Sequence, residues 1–176
     1  MTINNMNQLK VTFPDVYDAA KIVNYMEQIG KESDFLSFGE EGPQMTISKE
    51  IGYIQHLQEK STKSFMLLFK NNDEEIVGIT TISIREDRPR MSHFGILGIS
   101  ILKKYWGLGI GKFLMEETLK IAKIRGVKKI NLEVRTDNSR AIKLYENYDF
   151  KIEGKIIKNT FINNEFFDCY MMGREI

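Results

Sequence analysis

The stretch from Ile99 to Leu114 constrains the fold more than any other. An apolar run enters Tyr105-Trp106-Gly107-Leu108-Gly109-Ile110-Gly111 and then meets Phe113, Leu114, Leu119, Ile121 and Ala122 at helical spacing. Such a chain must form a strand, a glycine turn and a helix in direct succession. A helix start leaves backbone N–H groups without partners beside the positive end of its dipole. Glycines there let a phosphate approach the backbone without meeting a Cβ atom. The segment reads as an anion site; glycines that only permit tight strand-helix packing are the competing reading.

Two familiar phosphate motifs fail on the same residues. A Walker A loop needs four residues between its glycines and then Lys-Ser/Thr. Gly107 and Gly111 enclose three, and Lys112 is followed by Phe113. A dinucleotide fingerprint needs a third glycine where Lys112 stands, and the first strand-helix unit lies far upstream.

Composition narrows the field further. The chain has 176 residues, 25 basic and 24 acidic, for a formal charge of +1. That length suits one domain, residues 1–176, able to close a core without staples. The balanced charge gives no broad field for nucleic acid or an anionic membrane, so neither is expected as a partner. Cys169 is the only cysteine, which excludes an internal disulfide and a thiolate-rich zinc site, and it reads as buried filler. The polar N-terminus lacks a signal-peptide core, and no apolar run approaches the about 20 residues of a membrane span. A cytoplasmic protein without a metal is expected.

Along the chain, Leu9 to Phe13 alternates as a short strand before Pro14. A helix with Ala19, Ile22, Val23, Met26 and Ile29 on one face follows, with Gly30 expected as its C-terminal cap. Ser33 to Met45 is a loop by composition, and Thr46 or Ser48 caps a second helix buried through Ile51, Ile54 and Leu57. Phe65–Phe69 and Ile76–Ile84 form a hairpin around Asn71-Asn72-Asp73. Met91–Leu102 is a glycine-bearing strand, the long helix ends near Arg125-Gly126, and Lys129–Val134 is a strand. Ser139–Tyr148 is a short helix, and two last strands turn at Asn163-Asn164. The pattern is α+β, with helices around one central sheet.

A second stretch, Leu132-Glu133-Val134-Arg135-Thr136-Asp137-Asn138-Ser139-Arg140-Ala141-Ile142-Lys143-Leu144-Tyr145, ends in Asp149-Phe150. Together with the glycine turn it resembles the GNAT superfamily of acyl-CoA-dependent N-acetyltransferases. The turn is similar to that family's pyrophosphate loop R/Q-x-x-G-x-G/A, with Gly109 and Gly111 on the small positions. The second stretch is similar to its N-x-x-A-x-x-L-Y-x-x-x-G-F segment at Asn138, Ala141, Leu144, Tyr145 and Phe150. The resemblance runs from about Phe65 to the C-terminus. Trp106 stands in place of the usual Arg or Gln, and Asp149 in place of a glycine.

The resemblance implies a mixed, mostly antiparallel twisted sheet flanked by helices, with strands splayed at an acetyl-CoA site and a cofactor-binding core over about 65–156. It places the pyrophosphate on Trp106, Gly107, Leu108, Gly109, Ile110, Gly111 and Lys112, and the pantetheine on Ile99, Ser100 and Ile101, with Asn138, Ala141 and Tyr145 alongside. The acetyl group would pass to a primary amine, on a small molecule or a peptide N-terminus, by direct attack. A CoA-binding regulatory or interaction domain of the same fold is the alternative. Homodimers are familiar in the family.

The resemblance also implies roles. Tyr145 falls on the tyrosine that many members use as acid beside the CoA sulfur; packing against the cofactor is its other reading. Glu133 falls where bacterial enzymes acetylating a ribosomal protein's N-terminal alanine carry their base, and polyamine-type members are equally near. His93 is the rival base, since an imidazole titrates in the useful range. Related sequences often carry a glutamate where this chain has Ile96. The acceptor side is expected from Ser33–Met45 and Lys158–Phe167, with acidic Glu32, Asp34, Glu40 and Glu41 and an apolar wall of Phe35, Phe38, Phe161, Phe166 and Phe167.

Overall fold

The computed structural model describes residues 9–176. Its strands are β1 (Lys10–Thr12), β2 (Phe65–Lys70), β3 (Ile76–Ile84), β4 (Phe94–Ile101), β5 (Lys129–Arg135), β6 (Lys151–Ile162) and β7 (Glu165–Glu175). They form one seven-stranded sheet in the order β1-β2-β3-β4-β5-β7-β6. Every neighbouring pair is antiparallel except β4 and β5, which run parallel. The helices are α1 (Ala19–Glu32), α2 (Ile47–Leu57), α3 (Ile110–Ile124) and α4 (Ser139–Glu146).

Local chemistry accounts for the boundaries. Thr46 Oγ1 accepts the Lys49 N–H at 3.2 Å and starts α2. Asn71 Oδ1 accepts the N–H groups of Asp73 and Glu75 at 3.0 and 2.9 Å, closing the β2–β3 hairpin. Asn163 and Asn164, at φ 50° and 67°, supply the left-handed pair that a two-residue hairpin turn between β6 and β7 demands.

Strand alternation divides the core in two. On the back face Leu97, Ile130, Leu132 and Val134 pack with Leu114 and Met115 of α3 and Tyr145 of α4. On the front face Met66, Leu68 and Ile79 pack with Ile22, Tyr25 and Ile54 from α1 and α2. At Gly78 a Cβ atom would come within 2.9 Å of Leu114, so this small residue lets α3 lie close on β3. There Thr118 Oγ1 bonds to Thr80 Oγ1 at 2.8 Å and to the Leu114 carbonyl at 2.7 Å.

Three boundaries differ from the sequence reading. Gly30 lies inside α1, which runs on to Glu32. A Cβ on Gly30 would collide with the Gly39 carbonyl, so close approach of the following loop, and not capping, requires this glycine. The expected strand from Met91 begins only at Phe94, because Pro89–Met91 forms a 3-10 turn. The last helix stops at Glu146, where the chain turns through the left-handed Asp149 (φ 61°) to Phe150.

Candidate active site

Strands β4 and β5 are joined only at Phe94↔Lys129, Gly95↔Ile130 and Ile96↔Asn131. Beyond that row β4 stays with β3 and β5 stays with β7. The facing backbone edges of Leu97–Ile101 and Leu132–Arg135 therefore border a wedge that another extended chain could enter. Ile99 and Ile101 point to the back core, while Ser100 points forward, its Oγ 3.0 Å from the Tyr25 hydroxyl.

At the mouth of the wedge lies the glycine turn. Gly107 and Gly109 adopt φ 78° and 80°, and α3 starts directly afterwards. The N–H groups from Gly107 to Gly111 donate to no backbone carbonyl among the described residues; the first closed bonds are those of Lys112 and Phe113 to the Gly109 carbonyl. Around Gly107 the space is open, whereas a Cβ on Gly111 would rest 3.4 Å from Ile101 and Leu144. This row of donors on a helix N-terminus fits a pyrophosphate. The Trp106 indole donates Nε1–H to the Ile101 carbonyl at 2.7 Å and so ties the turn to the end of β4. Over that ring, at 4.7 Å, sits the Arg140 guanidinium, a cation beside the anion site that sequence reasoning did not single out. Its position at α4's first turn was the only signal.

From α4, Tyr145 reaches into the back core, 6% exposed and 5.9 Å from the Phe150 ring. Burial pushes its phenol up to about 12, so it holds its proton at neutral pH. Asn138 spends its Oδ1 on the Ala141 N–H at 3.1 Å, capping α4, and Ala141 packs partly buried on the same core.

The front face carries another candidate. Glu133 is exposed on β5 and accepts a hydrogen bond from Asn159 Nδ2 at 3.1 Å. His93 is not brought to the wedge. It sits exposed in the turn before β4, its carbonyl accepting the Lys128 N–H at 2.8 Å. At about 3.3 Å per strand residue it stands roughly 13 Å from Leu97, where the wedge opens. The expected strand from Met91 is corrected here, since His93 follows the 3-10 turn Pro89–Met91 and lies one residue before β4 begins.

The acceptor side is organised by a residue that the sequence reading left without a role. Arg135, the last residue of β5, donates from Nε and Nη2 to Asp137 at 3.0 and 2.6 Å and from Nη1 to the Asp34 carbonyl at 2.9 Å. Its guanidinium lies 3.6 Å over the Phe167 ring and 4.8 Å from that of Phe35. It thereby fastens the Ser33–Met45 loop to the β6–β7 hairpin. Glu32 is occupied differently from expectation, with Oε2 accepting the Lys103 N–H at 2.6 Å. Phe161 and Phe166 stack on each other, largely exposed. A cavity of about 610 Å³ bordered by Phe13, Leu57, Phe65 and Arg125 lies elsewhere and shares none of these residues.

Comparison with known proteins agrees with this geometry. The chain is 38% identical over 104 residues to an L-amino acid N-acetyltransferase of Escherichia coli, covering 58% of this chain and 63% of that protein. The match thus spans under two thirds of that relative's length. An N-alpha-acetyltransferase of Sulfurisphaera tokodaii is 30% identical over 128 residues, 68% of this chain and 73% of the relative. The crystal structure of an acetyltransferase of the GNAT family from Streptococcus pneumoniae superposes with a TM-score of 0.90 at 32% identity, over 96% of this chain and 99% of that one. Since the model of the acetyltransferase (GNAT) family also matches residues 24–150, the chain belongs to that family.

Proposed function

We propose that this chain is an acetyl-CoA-dependent N-acetyltransferase that moves an acetyl group onto a primary amine without a covalent enzyme intermediate. The observation that carries the reading is the row of unpaired N–H groups from Gly107 to Gly111 at the mouth of a wedge between two parallel strands. Acetyl-CoA supplies the activated thioester. The chain's own groups do the rest: the turn holds the pyrophosphate, and the free edge of Ile99–Ile101 binds the pantetheine as an added strand would. A backbone N–H at the parting of the strands stabilises charge developing on the carbonyl oxygen.

Tyr145 is the proton donor to the leaving sulfur in this reading, since its raised phenol keeps a proton to give. Glu133, exposed beside the wedge, takes the proton from the amine through water. The acceptor is a small amine, such as the amino acids named for the Escherichia coli relative, or a peptide N-terminus, as for the archaeal one. One unit over 1–176 with its cofactor core at about 65–156, a homodimer and a cytoplasmic location complete the proposal. Among the described residues no helix is long and apolar enough to cross a membrane.

The test is release of free CoA from acetyl-CoA with L-alanine, L-alaninamide and 1,4-diaminobutane. In parallel, Gly111→Glu places a carboxylate in the phosphate site at a position whose backbone tolerates a side chain. We expect CoA affinity to fall at least tenfold with the fold retained; undiminished binding would overturn the assignment. Tight CoA binding without turnover on any amine would favour the regulatory or interaction domain.

A further inference from the structure

The cavity bordered by Phe13, Leu57, Phe65 and Arg125 has a volume of about 610 Å³, inside the range of about 300–1,000 Å³ that small-molecule sites occupy. Arg125 follows the last residue of α3, whereas the glycine turn precedes its first. A helix of 15 residues, about 21 Å from end to end, therefore stands between the cavity and the pyrophosphate donors.

Arg125 carries the argument. As the C-terminal cap of α3 it suits the negative end of the helix dipole. Its side chain nevertheless crosses to the sheet, where Nη1 donates to the Ser64 carbonyl at 2.7 Å. The guanidinium lies 5.2 Å over the Phe13 ring and 5.3 Å over that of Phe65. These contacts hold the planar group in place and leave Nε and Nη2 donating to no protein acceptor among the described residues. Burial lowers its pKa, and the charge of Glu86 opposes the drop only in part. Glu86 is occupied elsewhere, with Oε1 accepting from the Thr62 hydroxyl and from the N–H groups of Lys63 and Ser64.

Lys60 and Lys63 border the same cavity and form no ion pair among the described residues. Against these three cations stands one carboxylate, Glu59, whose Oε1 lies 3.5 Å from His56 Nδ1. Phe13, Pro14, Leu57, Phe65 and Met66 supply an apolar wall, and Phe13 is 50% exposed. Gln58 Nε2 donates to the Pro14 carbonyl at 3.3 Å and fastens the end of α2 to the end of β1. An excess of cations over an apolar wall selects an anion with an apolar body, and the side-on edge of a guanidinium matches the two oxygens of a carboxylate. We infer that this cavity is a second binding site, which takes a small organic acid with its carboxylate on Nε and Nη2 of Arg125 and its aryl or alkyl body along Phe13 and Leu57. The inference goes beyond the proposed activity and does not depend on it.

The test is calorimetric titration of 3-phenylpropionate and of hexanoate into the full chain saturated with CoA, which keeps both acids out of the cofactor site. We expect saturable binding of one acid per chain, weakened at least tenfold in Arg125→Lys, which keeps the charge and loses the fork. Without its carboxylate, 3-phenylpropanol should bind at least tenfold more weakly than 3-phenylpropionate. Should Arg125→Lys not fold, Phe13→Ala, at the half-exposed ring, is read by the same titration and the same tenfold criterion. No saturable binding of either acid at millimolar concentration overturns the site, as does equal affinity in the variant. Displacement by equimolar inorganic phosphate overturns the organic-acid class. If the chain does not bind CoA, the proposed function fails, and the same titrations without CoA still decide this site.

Discussion

Tyr145 combines two properties that a proton donor needs, a buried phenol raised to about 12 and a place on the helix that follows the wedge. Removing its hydroxyl in Tyr145→Phe is expected to lower kcat by about a hundredfold, the lower range for a positioned acid, with CoA affinity unchanged. Unchanged turnover would reassign the acid. The same phenol makes a separate thermodynamic statement. Its folded pKa lies above the ordinary 10, so its contribution to stability is complete below pH 10 and is lost as pH rises toward 12. Urea midpoints at pH 8 and pH 11 should therefore fall less for Tyr145→Phe than for wild type. Arg140 and Arg125 belong to the same scale. In the sequence both are ordinary helix charges, and only their neighbours distinguish them.

Among the elements, α1 and the loop after it show how a backbone contact can govern a site. At Gly30 a methyl group would strike the Gly39 carbonyl, a backbone atom that cannot rotate away. Gly30→Ala is expected to cost about 1–3 kcal/mol, the usual range for overpacking, read from the denaturant midpoint. Because the displaced loop is the one that Arg135 holds through Asp34, KM for the amine should rise while KM for acetyl-CoA does not. A variant as stable as wild type would show that the loop yields freely. Arg135 itself links three elements: its aromatic and carboxylate neighbours come from the loop, the β5–α4 turn and β7.

At the level of the whole molecule, the front layer is anchored to the sheet by a buried ion pair, Lys70 Nζ to Asp18 Oδ1 at 2.8 Å, with side chains 8% and 12% exposed. Burial pushes the Asp18 carboxyl up, but the bond and charge of Lys70 and the Asp15 N–H outweigh it and hold the group below its ordinary value. A depressed carboxyl contributes stability above pH 3.8 that is lost as pH falls through the folded pKa. Lys70→Met should destabilise by about 3–5 kcal/mol by leaving a buried charge alone, and Asp18→Asn on that background should recover part of the loss. Chemical denaturation at pH 7 and pH 3 checks both, since the gap between wild type and Lys70→Met must narrow in acid.

By itself the sequence determined the order of elements, the glycine turn on a helix start and the family resemblance. These follow from periodicity, from turn residues such as Asn71 and from two local motifs, all effects of neighbours along the chain. Helix and strand ends were less legible where distant contacts set them: Gly30 serves a loop packed across it, and the start of β4 follows a 3-10 turn. The tertiary structure alone decided which side chains meet. Of the favoured base Glu133 and its rival His93, the register puts Glu133 beside the parting strands and His93 just before the joined end of β4. Arg125 became conspicuous only once folding had set its guanidinium over two aromatic rings at a cavity, because what a side chain meets depends on what packs around it and not on its place in the chain.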